Sequence, residues 1–271
     1  MIFEIPKGVF LLKKGFNQEG NWRSDSSYKF IYSLDGFIEY QTNRNQFTLE
    51  KQHFIIFNPH DEHKQLTIDG KKFLIELNPS LVNEIAKMLS PIHYDIQFAF
   101  YKNQSPQLTN WVQFILQYIQ SEEDTNNKAT EHFLDHSFTQ LALLLVKSVV
   151  GTHSQDINLN TYKMISPQLF KTIQALKENY QHHWSLDEMA SISGLNKFQF
   201  AHYFKEIIGI SPYSWLQIYR VIRGQEMLKN SNQTVLDIAM HCGFSSVGSF
   251  NHLFRRLYGI TPLDFRKMTK R

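Results

Sequence analysis

Cysteine is almost absent. Cys242 is the one cysteine in 271 residues, which excludes an internal disulfide framework and any cysteine-clustered zinc site and fits a reducing compartment. Long apolar runs are also missing. The stretch Leu141 to Val146 stops at Lys147, far short of the roughly 20 residues a membrane-crossing helix needs. The opening residues Met1-Ile2-Phe3-Glu4-Ile5-Pro6 lack the basic stretch and apolar run of a secretion leader, so the cytoplasm is the expected location. No phosphate-binding glycine loop, serine-triad signature or paired-carboxylate motif occurs. Catalytic residues, cofactors and metals are therefore not expected, and the chain does not read as an enzyme.

What is present suits a globular protein of two domains, each able to bury a core: 42% of residues are hydrophobic, with 22 Phe and 12 Tyr. The net charge of +3 is unevenly spread. Residues 166–271 carry 13 Lys and Arg against 7 Asp and Glu, whereas residues 1–165 carry 15 against 18. A basic C-terminal part beside an acidic N-terminal part points weakly to a polyanionic partner.

The first eighty residues predict short strands. Tyr28, Phe30, Tyr32 and Leu34 alternate, and apolar runs follow at Phe37–Tyr40, Phe47–Leu49, Phe54–Phe57 and Phe73–Leu77. Turn residues such as Asp35-Gly36, Asn58-Pro59 and Asp69-Gly70 divide them. This spacing suggests a barrel or sandwich. The period then changes. Leu108, Trp111, Val112, Ile115, Leu116 and Ile119 repeat at three and four, and Leu134, Phe138, Leu141 and Leu145 form a second stripe beyond a polar connector at 121–128. Together they predict a helical hairpin. Residues 151–166 read as an interdomain linker.

From Ser166 onward the chain reads as helix with caps at each start: Ser166-Pro167, Ser211-Pro212, the capping-box form Ser185-Leu186-Asp187-Glu188, and the shorter acidic versions at Thr234 and Thr261. Within this part lies a repeat. Ala190 and Gly194 recur 49 residues on as Ala239 and Gly243. Phe200, Phe204, Gly209, Ile210 and Pro212 recur 50 residues on as Phe250, Phe254, Gly259, Ile260 and Pro262. Each copy has the grammar of a helix-turn-helix, with a small residue where helices cross and a glycine where the turn needs positive φ. In the second helix of each copy, Phe200, Tyr203, Phe204 and Ile207, or Phe250, Leu253, Phe254 and Leu257, fall on the core side. Phe198, His202 and Lys205, or Gly248, His252 and Arg255, fall opposite, with Lys197 and Ala201 or Asn251 flanking. One such motif would also suit the solvated face of an ordinary helical bundle. Duplication with matched core, turn and outward positions favours DNA binding.

The segment Leu236-Asp237-Ile238-Ala239…Cys242-Gly243-Phe244-Ser245-Ser246…Phe250…Phe254-Arg255-Arg256…Gly259-Ile260-Thr261-Pro262…Phe265-Arg266 resembles the signature of the AraC/XylS family of transcriptional regulators, over about residues 170–268. The resemblance implies an α+β chain of two domains. Residues 1–150 would be a cupin-like effector-binding and dimerisation domain, with a β-barrel over about 1–80 and helices over about 80–150. Residues 167–271 would be an all-α DNA-binding domain of two helix-turn-helix units joined by a long helix, Pro212 to Leu228. The two reading helices would enter successive major grooves of double-stranded DNA about 34 Å apart. Base-facing positions would be Phe198, Ala201, His202, Val247, Gly248, Ser249, Asn251 and His252. Lys197, Lys205, Arg255 and Arg256 would meet phosphate. His202 and His252 stand where the family commonly has arginine, which leaves the base preference there open. The turn Asn58-Pro59-His60-Asp61-Glu62-His63 is similar to the family's barrel turn. The implied partners are a sugar or other small-molecule effector, a second copy of the chain through residues 107–149, and the transcription machinery, with activation as the family tendency.

Two alternatives stand beside this. His53, His60 and His63 with Glu50 and Glu62 could form a cupin metal site and so an enzyme, although the paired His-x-His strand motif is absent and strand-end histidines explain them more simply. A sugar-binding protein with a helical extension is the other. Trp22, Tyr28, Phe30, Tyr32 and Tyr40, with His60 and His63, are candidates for an effector pocket, and ordinary barrel core accounts for the aromatic residues equally well. Cys242, one residue before the turn glycine, reads as a small buried hydrophobe.

Overall fold

The structure is a computed structural model that describes residues 2–14, 21–43, 45–90, 92–121, 128–157 and 165–270. Most of the expected connector at 121–128, residues 122–127, and residues 158–164 of the expected linker at 151–166 lie outside the described residues. The chain divides into two compact units, Met1–His153 and Ser154–Arg271. The first is α+β and the second all helical.

In the first unit, alternating apolar residues build β1 (Ile2–Ile5), β2 (Gly8–Lys14), β3 (Tyr28–Thr42), β4 (Gln46–Glu50), β5 (Phe54–Phe57) and β6 (His63–Leu77). All pairings are antiparallel, in the order β1-β2-β6-β3-β4, with β5 also on β3. No ladder joins β1 to β4 or β5 among the described residues, so the paired strands form an open sheet rather than a closed barrel.

Two expected turns are not turns. Asp35-Gly36 and Asp69-Gly70 lie inside β3 and β6, where Gly36 pairs with Gly70 across the ladder. Both glycines hold positive φ, 69° and 115°. A Cβ on Gly36 would lie 1.9 Å from the Asp69 carbonyl oxygen, so the two strands close only because neither position has a side chain. The register skips a residue at Leu34, a bulge that flips the sides of everything beyond it. Tyr28, Phe30 and Tyr32 therefore share one core with Phe54, Phe73 and the helices, whereas Ile38 and Tyr40 join a second core with Leu49, Phe57 and Ile68.

Helices α1 (Pro79–Leu89), α2 (Pro106–Ser121) and α3 (Lys128–Ser148) complete this unit. The stripes of α2 and α3 are buried from Leu108 to Ile119 and from Leu134 to Leu145. Phe114 and Leu143 remain exposed. Tyr118 stacks on Phe133 at 3.6 Å between ring centroids, with Phe114 against the same ring at 5.7 Å. None of the described helices is long and apolar enough to cross a membrane.

The second unit contains α4 (Pro167–Glu178), α5 (Leu186–Ser193), α6 (Lys197–Ile208), α7 (Pro212–Asn230), α8 (Val235–His241), α9 (Val247–Tyr258) and α10 (Pro262–Thr269). Hydroxyl or amide caps start each one. Ser185, Asn196 and Thr234 form reciprocal boxes with Glu188, Gln199 and Asp237, while Ser246 caps α9. Gly194, Gly209 and Gly259 end helices in the left-handed region. Helix α7 runs two residues further than expected and carries Trp215, Leu216, Val221, Ile222 and Leu228 into the core. Gly224 lets α7 approach α9, since a Cβ there would come within 2.9 Å of the Phe250 ring.

Candidate nucleic-acid interface

The two helix-turn-helix copies are α5–α6 and α8–α9, with α7 between them. Ala190 and Ala239 are buried at the crossings. Phe200, Phe204 and Ile208 anchor α6, where the half-buried Ile207 and Tyr203 replace the fully buried pair expected. Phe250, Leu253, Phe254 and Leu257 anchor α9. With one side of each helix locked into aromatic packing, such as Phe250 on Phe254 at 5.7 Å and Phe254 on Phe265 at 5.5 Å, the opposite side faces solvent.

On α6 the exposed side carries Phe198, 77% exposed, then the half-buried Ala201 and His202, whose side chain is 83% exposed. Lys197 reaches Asp187 at 3.2 Å and lies 5.8 Å from the Phe198 ring centre. His202 Nδ1 sits 3.9 Å from a Glu206 carboxylate oxygen one turn on, so this face also carries a carboxylate. Lys205 is exposed. On α9, Gly248, Ser249, Asn251, His252, Arg255 and Arg256 are all exposed, with Val247 half-buried. Ser249 is oriented by the capping hydroxyl of Ser246 at 2.9 Å. Asn251, His252 and Arg255 line a depression of about 480 Å³ shared with Thr261 and Leu263. Neither His202 nor His252 is sealed beneath other side chains.

The rest of the unit holds these faces in place. The Glu188 carboxylate accepts from the Ser185 amide at 2.6 Å and from its hydroxyl at 2.7 Å, which with His182 draws its pKa down to about 2. Cys242 is fully buried with Sγ 3.9 Å from Met227 Sδ, and burial pushes its thiol up to about 12, which suits packing and not nucleophilic chemistry. Two features escaped the sequence. Arg220, 4% exposed, ties the loop before α5 to α7 by donating to the Tyr180 and His182 carbonyls at 2.7 and 2.8 Å. Gly243 packs directly on Gln181. Nothing local marks the first. For the second, the glycine was visible, but the neighbour that requires it was not.

The residues considered for an effector are dispersed. Tyr28, Phe30, Tyr32 and Tyr40 are core residues without exposed surface. Their hydroxyls are used internally: Tyr28 donates to the Ile96 carbonyl, Tyr32 to Thr109 and Tyr40 to Gln65. A ligand touching them would have to displace that packing. His63 is buried and stacks on Phe57 at 4.1 Å, its pKa lowered by burial. Trp22 and His60 are exposed and stand on adjoining segments, since Arg23 pairs with His63 and the His60 amide donates to the Asp25 carbonyl. Among the described residues no three His, Cys, Asp or Glu side chains gather as metal ligands, so His53, His60 and His63 with Glu50 and Glu62 do not form that site.

Residues 189–268 match the helix-turn-helix domain family. The thermoregulatory protein LcrF of Yersinia pestis is 32% identical over 128 residues, 47% of this chain and 46% of LcrF. The RCS-specific HTH-type transcriptional activator RclR of Escherichia coli is 20% identical over 234 residues, 83% of this chain and 78% of RclR. A crystal structure of an AraC-type regulator from Chromobacterium violaceum shares 26% identity over 38% of this chain and 92% of that one, with a TM-score of 0.37. The match spans about half the length of LcrF. The duplicated C-terminal part, matched over residues 189–268, is thus a helix-turn-helix domain similar to those of AraC-type regulators.

Proposed function

We propose that the protein is a sequence-specific DNA-binding regulator of transcription, most consistent with an activator. The observation that carries this is the pair of helices α6 and α9, each locked to the core by aromatic side chains while His202 and His252 stand exposed at equivalent places, with Lys205 or Arg255 three residues on. Histidine can donate to or accept from base edges, and the cations suit phosphate. Relatives named as transcriptional activators support the same reading.

The first unit would serve as a cupin-like effector domain and supply regulation and dimerisation in the cytoplasm. The exposed Phe114 and Leu143 on α2 and α3 are suited to meeting a second copy. A small metabolite such as a sugar would enter at the rim bearing Trp22 and His60.

The test is selection of bound sequences from random duplex DNA, followed by titration at rising salt. Neutralising about six phosphates should lower affinity by roughly 10³-fold between 50 and 200 mM salt. Binding that is indifferent to both sequence and salt would refute the reading.

A further inference from the structure

A cleft of about 500 Å³ opens where the first repeat, α7 and the second repeat meet. His183 comes from the loop ahead of α5, Tyr213 and Arg220 from α7, Ser245 from the second turn, and His252 and Arg256 from α9. Two guanidinium and two imidazole groups line it, and none of the lining residues is acidic. That is unusual for a surface on which the outward side of α6 carries Glu206 and α5 carries Asp187 and Glu188.

The walls are fixed before anything binds. Arg220 spans the loop by its two carbonyl contacts, the Tyr213 hydroxyl donates to the Trp184 carbonyl, and the Trp184 indole donates to the Asn179 carbonyl at 2.9 Å. Gly243 resting on Gln181 closes the floor of the joint. A preorganised cationic concavity of this kind loses little entropy on taking an anion.

Charge and place together identify the occupant. Two helices that read successive major grooves straddle the strands between those grooves, and the phosphates of those strands face whatever lies between the two repeats. We propose that the cleft seats a phosphodiester of the DNA backbone between the two half-sites. Arg256 and His183 would donate to it, while Arg220 and Tyr213 act as positioning residues that hold the wall. The proposal rests on the DNA-binding reading above; it gives Arg256, already expected to meet phosphate, a defined seat shared with His183 beside the α9 face, since Ser249 and His252 also line the cleft.

The test uses the full chain and its selected duplex. Methylphosphonate linkages, which remove one negative charge each, are placed singly along both strands between the half-sites. One or two of these should weaken binding by on the order of tenfold, the size of one hydrogen bond to a charged group. In Arg256→Ala and in His183→Ala, affinity for the unmodified duplex should fall and the penalty at those same linkages should disappear, since the interaction has already been lost. Thermal unfolding of each variant checks that it folds, and His183 is exposed, so at least that variant should. Equal penalties in wild type and both variants overturn the proposal while leaving DNA binding intact. If instead inorganic phosphate raises the unfolding temperature through Arg256 and the modified duplexes bind normally, the cleft takes a free anion and the backbone assignment is overturned. A chain that selects no DNA at all refutes the earlier reading instead.

Discussion

The turn glycines of the two repeats occupy equivalent positions under different constraints. Gly194 has φ 70° and open space where a side chain would begin, whereas at Gly243, with φ 80°, a Cβ would lie 2.6 Å from the Gln181 carbonyl oxygen. The first glycine serves only the left-handed backbone of its turn. The second also lets one repeat rest against the loop of the other. The second turn is therefore the joint of the domain. Gly194→Ala should cost about 1 kcal/mol, the penalty of a left-handed residue with a Cβ. Gly243→Ala adds a backbone clash and should cost about 3 kcal/mol or more. Chemical unfolding of the full chain, followed by tryptophan fluorescence, measures both. Equal losses would show that the joint yields freely.

The faces proposed to read DNA differ as much as the turns. Helix α9 offers Ser249, Asn251 and His252, all able to hydrogen-bond base edges, with Arg255 and Arg256 beside them. Helix α6 offers Phe198 and Ala201 with His202 and Glu206. One half of the operator should then be chosen by polar edges and the other partly by apolar contact. His252→Ala should cost about 1–3 kcal/mol and relax preference at one position, whereas Arg255→Ala should weaken all sequences alike and lower the salt slope by about 1. A uniform loss in His252→Ala, measured against a panel of single-base operator variants, would remove that histidine from the base-reading set.

A smaller effect is expected at α6. Phenylalanine and alanine meet the thymine methyl group favourably, so replacing thymine by uracil in that half-site should weaken binding about fourfold per contacted methyl, the value of roughly one buried carbon. Phe198→Ser should bind both duplexes equally. If wild type also ignores the substitution, the exposed ring does not touch a methyl group.

Legibility from sequence followed the range of the interactions involved. The caps at Ser185, Asn196 and Thr234 and the packed sides of α6 and α9 depend on residues three or four apart, and that chemistry is visible in any window of the chain. Even there, an ideal 100° per residue placed Ile207 where Ile208 is buried, an error of one position near a helix end. In the first unit the alternation was correct but its meaning was not. Asp35-Gly36 and Asp69-Gly70 have the composition of turns, and only their pairing with each other makes them part of two long strands. Alternation likewise cannot separate core from pocket, so Tyr28, Phe30 and Tyr32 were credible ligand contacts until their packing was known. The bulge at Leu34, which sends Tyr40 to the other core, has no sequence mark. The cleft between the repeats was the least visible feature, because it needs a loop, a helix and a turn that only the tertiary fold assembles.

The smallest expected effect returns to the comparison through the capping boxes. Glu188 in the first repeat and Asp237 in the second each accept from the cap residue three positions earlier. Glu188 makes the shorter backbone contact, 2.6 Å against 3.2 Å, and its pKa is drawn from 4.5 to about 2, first by the Ser185 amide and then by the Ser185 hydroxyl and His182. A folded pKa below the unfolded one means that the ionised carboxylate supports the fold. That support is complete above about pH 4.5 and is lost as pH falls through about 2. Glu188→Gln should therefore lose pH dependence in this window and weaken the start of α5, with little change near neutrality because the amide can still accept from Ser185. Carbon-13 carboxyl titration should place the Glu188 midpoint near 2. A midpoint at the ordinary 4.5 would mean that the box is open in solution, and the first repeat would then begin its turn less firmly held than its packing against α4 implies.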